Sequence, residues 1–226
     1  MFSVSTRTAM IGLTAGLALT LSACGGSNST ASSSSSSAAA KPTPAAEIAS
    51  LSGQQTAVTL DAGFLSGLTA LKLTPATIGT AKLDGTTGVI SFPITGGNVT
   101  YYDPNSGVQP YVQGLIKHDG SGLQLTGANG KVVKLENFEV DPVKSTLFGK
   151  VSVDGAVFAE RADLFFLDGR TLNPLRPGTA PDTAVLQGTT VSLTKTAADA
   201  LDKVFETTAL TEFFKVGVAE ITVNTK

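Results

Sequence analysis

Between Ile78 and Thr190 the chain is cut into short runs by five dipeptides, Asp84-Gly85, Asp119-Gly120, Asn129-Gly130, Asp154-Gly155 and Asp168-Gly169, each flanked by β-type residues. A two-residue Asn-Gly or Asp-Gly loop accepts positive φ at both positions and matches the twist of two antiparallel strands, so this punctuation predicts a meander of hairpins. The runs themselves alternate. Ile90, Phe92 and Ile94 share one face, as do Leu123 and Leu125, Val133 and Leu135, Phe138 and Val140, and Val151 and Val153. Alternation on one side only predicts sheets with a buried and a wet face.

Two helices are expected at the ends of this meander. Asp61 offers a cap to a short helix carrying Phe64, Leu65, Leu68 and Leu71, closed at Thr74-Pro75; Thr194 does the same for a helix carrying Ala197, Ala198, Leu201, Val204 and Phe205. Val58-Thr59-Leu60-Asp61 and Val191-Ser192-Leu193-Thr194 share a strand-then-cap grammar, which predicts two related strand-helix-strand units bracketing the meander. Leu172 to Pro181, rich in proline, reads as an irregular surface connection. The expected fold is mostly β, an antiparallel β-sandwich or strongly curled sheet with two short covering helices, in one β-rich domain over 48–226 with order beginning near Thr56.

The segment ahead of this domain has a different character. Arg7 precedes an apolar stretch from Met10 to Ala23, shorter than the roughly 20 residues a spanning helix needs, and Leu21-Ser22-Ala23-Cys24 follows the lipobox pattern of bacterial lipoproteins. Residues 1–23 are therefore expected to be a lipoprotein signal peptide, with Cys24, the only cysteine, as the lipidation site and the membrane as a partner through that lipid. Residues 24–47 are Gly, Ser, Ala, Thr and Pro with serine unbroken from Ser32 to Ser37. Such a segment buries too little apolar surface to offset its ordering entropy, and reads as a disordered stalk holding the domain roughly 25 to 30 Å from the membrane. The expected location is a bacterial membrane surface facing the periplasm or the cell exterior.

Several function classes are bounded by what the chain lacks. Removing Arg7 with the signal leaves 15 basic against 18 acidic residues, a net charge of −3, and the lysines stand singly, so no basic face serves nucleic acid. One histidine and one cysteine cannot build a His/Cys zinc site, and no G-x-S-x-G turn presents a nucleophilic serine to His118. Asp103-Pro104-Asn105-Ser106-Gly107 departs from the EF-hand spacing and has the composition of a turn. Glu160 with Asp163, and Glu136 with Glu139, are close in sequence, but glycosidase carboxylates must face each other across a bond, and these read as solvated strand residues. Tryptophan is absent, which leaves Tyr101, Tyr102 or Tyr111 for any ring stacking.

His118 ends the apolar run Gly114-Leu115-Ile116-Lys117 and precedes Asp119-Gly120, a place where a histidine is expected at a rim open to water. Its surroundings come in a particular order: a helix, the strand Ile90-Ser91-Phe92-Pro93 before a glycine pair, a G-x-x-x-H-D-G-x-x-L-x-L segment, a strand ending Phe138-Glu139-Val140-Asp141, and a late Leu193-Thr194 helix. That order resembles the HtaA-type domain of bacterial surface haem-uptake proteins. The resemblance implies haem as ligand, held by an axial tyrosine from the first segment with the histidine of the His-Asp-Gly turn in support. His118 matches the histidine; between Thr56 and Thr74 the only aromatic is Phe64, which cannot ligate iron. The expectation is thus a non-enzymatic, lipid-anchored binding or structural module of the cell envelope, with His118 and Tyr111 as candidate ligand contacts, no metal site, no resident cofactor, and an unidentified small-molecule or protein partner; haem uptake is the alternative.

Overall fold

The computed structural model describes residues 42–226, so the signal peptide, Cys24 and most of the stalk lie outside the described residues. Along the chain run β1 (Ala46–Ile48), β2 (Gln54–Leu60), α1 (Ala62–Ala70), β3 (Thr74–Gly79), β4 (Lys82–Asp84), β5 (Val89–Pro93), β6 (Gly96–Tyr101), β7 (Val112–Thr126), β8 (Val132–Asp141), β9 (Thr146–Val153), β10 (Ala156–Asp168), β11 (Arg176–Pro177), β12 (Thr183–Leu193), α2 (Lys195–Phe205) and β13 (Lys215–Asn224). The first ordered strand starts ten residues ahead of Thr56, because Ala46 to Ile48 pair with Tyr101 to Val99 at the edge of β6.

All pairings are antiparallel and all strands belong to one sheet, in the order β1, β6, β7, β8, β9, β10, β12, β13, β2, β5, β4, with β3 beside the second half of β7 and β11 beside β12. Of the two expected architectures this is the curled sheet. Its curl is strong enough to bring the ends of this order together: β5 and β6 lie near opposite ends yet are joined by Ile94 and Thr95 alone, and Thr95 N continues the β6–β7 ladder by donating to the Lys117 carbonyl at 2.8 Å. One face is thereby turned inward.

A line of irregularities produces the bend. Register shifts fall between His118 and Gly122 on β7, between Glu136 and Glu139 on β8, and again along β10 and β12. Each leaves one extra residue, or two on β7, on one strand and sharpens the local twist. On β7 and β8 the extra residues hold each other: Asn137, at φ 55°, accepts the Gly120 N–H on its Oδ1 at 2.9 Å, and Gly120 sits at φ +72°. Asp119-Gly120 is consequently a kink inside a 15-residue strand, which corrects its reading as a hairpin. Asp168-Gly169 departs too, since Asp168 caps a single 3-10 turn over Gly169–Thr171 by accepting from Arg170 N. The other three dipeptides do join hairpins, β4–β5, β7–β8 and β9–β10, and Asp154 (φ 50°) with Gly155 (φ 85°) has positive φ at both loop positions.

The helices stand where their caps place them. Asp61 Oδ1 accepts from Gly63 N at 2.9 Å to open α1, and Thr194 Oγ1 accepts from Ala197 N at 3.1 Å to open α2. Ala197, Ala198 and Leu201 are buried from α2, but from α1 only Leu68 is fully buried and Leu65 is exposed. The strands around them differ more. β12 and β13 pair with each other across α2, whereas β2 pairs with β13 and β5 while β3 leaves for β7. The two strand-helix-strand units are not structural repeats: the likeness is confined to the strand-then-cap step.

Candidate functional site

The inward face encloses an apolar cavity of about 360 Å³, lined from β2, β5, β7, β8, β9, β10, β12 and β13. That is within the range of small-molecule sites. Aliphatic side chains from β12 and β13, among them Leu186, Val191, Ala219 and Ile221, form one wall. Phe92, Phe138 and Phe165 form an aromatic row, with centroids 5.2 Å and 6.5 Å apart in edge-to-face contact. At the boundary lie Gln109 to Tyr111, Pro142, Ser145 and Asp168 to Arg170.

His118 is part of this wall and only 1% exposed, which corrects its expected place at a rim open to water. The kink after it explains the difference: β7 does not turn back at Asp119-Gly120, so the imidazole stays in the interior, edge-on to Phe92. Its Nδ1 lies 3.3 Å from the Phe138 carbonyl and its Nε2 lies 2.8 Å from Thr56 Oγ1. A carbonyl can only accept, so Nδ1 carries the proton; Nε2 then accepts from the Thr56 hydroxyl, and both ring nitrogens of a neutral imidazole are satisfied. Desolvation disfavours the imidazolium and pulls the pKa down to about 4, against a smaller upward pull from the Phe138 carbonyl and Asp119.

Tyr111 lines the same cavity, so the two candidates named from sequence share one site. Its backbone carbonyl accepts from Tyr102 N at 2.7 Å, and its ring meets Tyr101 edge-on at 5.9 Å. Burial, with a smaller contribution from Tyr101, raises its phenol above the usual tyrosine value. At the mouth Arg170 and Asp168 neutralise each other through two hydrogen bonds of 2.9 Å, and the guanidinium holds the carboxyl below the ordinary aspartate range. Thr56 and the aromatic row were missed as site residues. A threonine in an alternating strand carries no local sign that it will meet a histidine 62 positions away.

The remaining candidates lie elsewhere. Asp103 Oδ1 accepts from Asn105 N at 2.8 Å within a tight turn. Glu139 is bound to Arg161, whose guanidinium covers Phe148 at 3.4 Å from the ring centroid, and Glu160 reaches Lys150 at 3.3 Å. None of these carboxylates lines the cavity. Among the described residues, no group of three or more His, Cys, Asp or Glu is placed to hold a metal, and no helix is long and apolar enough to cross a membrane.

A single antiparallel sheet curled around an apolar cavity defines this β-domain. Its fold is that of the C-terminal domain of HtaA from Corynebacterium glutamicum: TM-score 0.52 at 16% identity, covering 77% of this chain and 98% of that one. A domain-swapped dimer of a variant of the same domain gives TM-score 0.45 at 16% identity, over 73% and 92% of the two chains. The haem-binding protein HtaB of the same organism gives TM-score 0.48 at 11% identity, over 80% and 96%. No protein-family model matches the sequence, and no curated protein matches it.

Proposed function

We propose that this chain is a non-enzymatic binding module of the bacterial cell envelope that takes haem or a related tetrapyrrole into the cavity of its curled sheet. The observation that carries the reading is the apolar cavity of the curled sheet, with Phe92, Phe138 and Phe165 along its lining. An apolar enclosure of this kind suits a flat, largely hydrophobic ring, and aromatic edges from Phe92, Phe138 and Phe165 offer it packing surface. The fold shared with the HtaA domain and the order of motifs around His118 support the same class of ligand. On this reading the module is tethered by a lipid on Cys24 and faces the periplasm or the cell exterior, where its cargo would be met.

The test is a titration of haem into the purified full chain. Saturable one-to-one binding is expected, weakened by roughly tenfold or more in Ala219→Leu, which adds bulk to the cavity wall from β13. Non-saturable association, or saturable binding indifferent to Ala219→Leu in a folded variant, would remove the cavity from the reading.

A further inference from the structure

The lining of the cavity contains three side chains with the donor chemistry to bond a haem iron: His118, Tyr111 and Asp168. His118 and Asp168 are already committed to hydrogen-bond partners. His118 has one lone pair free for a metal, on Nε2, and the Thr56 hydroxyl occupies it at 2.8 Å while Nδ1 is held by the Phe138 carbonyl. Both residues are buried, His118 at 1% exposure and Thr56 at 6%, so the pair is a closed unit of the wall. The Asp168 carboxylate is taken by Arg170 through both oxygens. The Tyr111 ring is held edge-on against Tyr101 at 5.9 Å, and burial raises its phenol above the usual tyrosine value, so it presents a neutral hydroxyl to the cavity. The rest of the lining is aliphatic, aromatic, amide, hydroxyl or backbone, with no cysteine or methionine.

Resting on the tetrapyrrole reading, we infer that the cavity recognises the ring and not the metal: the Thr56–His118 pair seals the wall, so a bound porphyrin is held by apolar packing and its iron receives no bond from the protein. The ligand class is then wider than haem. Metal-free porphyrins and other flat, apolar tetrapyrroles of similar size fit the same chemistry, because nothing they lack is used.

The experiment compares haem with metal-free protoporphyrin IX on the unaltered full chain, by absorbance for both and by fluorescence for the second. Equal stoichiometry is expected, with dissociation constants within about threefold of each other. The visible spectrum of the haem complex is expected to be unchanged in Tyr111→Phe and in His118→Gln. Haem binding more than about tenfold tighter than the metal-free ring, or a haem spectrum altered by either substitution, overturns the inference while leaving the tetrapyrrole reading in place. If neither porphyrin binds, that reading fails and this inference fails with it. His118→Gln alters a buried side chain and can fail to fold; the ligand comparison and Tyr111→Phe then decide the matter.

Discussion

Acid is expected to destabilise this domain through one residue. His118 is the only histidine in the chain, and burial lowers its pKa from 6.5 to about 4. Between those values the unfolded chain binds a proton that the folded chain refuses, so stability is complete above pH 6.5, falls as the pH drops towards 4, and levels off below it. At pH 4.5 the unfolded imidazole is almost wholly protonated and the folded one mostly neutral, which costs about 2.5 kcal/mol relative to pH 7. That is a substantial share of the stability of a typical domain. Carboxylates with lowered values, Asp61, Asp84, Asp154 and Asp168, start from 3.8 and lose their contributions at lower pH, outside most of this window. Urea unfolding at pH 7, 6, 5 and 4.5 is the assay, with an expected fall in midpoint of about 1 M across the series. His118→Gln should flatten the dependence whatever it does to stability at pH 7. Proton NMR reads the same quantity directly, since a lone imidazole gives an unambiguous signal. A resonance titrating near 6.5, or a variant that keeps the wild-type slope, would refute the argument.

Thr194→Ala is expected to cost about 1 kcal/mol, because Thr194 Oγ1 caps α2 at Ala197 N and also donates to the Asp163 carbonyl at 2.7 Å; a urea midpoint unchanged from wild type would show the cap to be dispensable. Cys24→Ser is expected to release the protein from membranes or leave its signal uncleaved, read by fractionation and intact mass, and membrane association that survives with normal processing would count against a lipid anchor.

What the sequence determined by itself is local. Alternation along Ile90, Phe92 and Ile94 and the Asp154-Gly155 loop required antiparallel strands, and Asp61 and Thr194 marked both helix starts, because each signal acts within a few residues of itself. The tertiary structure decided the rest. Asp119-Gly120 carries the same letters as Asp154-Gly155, yet one pair kinks a continuous strand and the other reverses the chain. Positive φ at the glycine serves a bulge as well as a turn, and only the partner across the ladder, here Asn137, selects between them. From that choice follow the bend of the sheet, the enclosure of the cavity, and the burial of His118 against Thr56. Their meeting could not be read in advance, because it depends on strands that adjoin only after the sheet has curled.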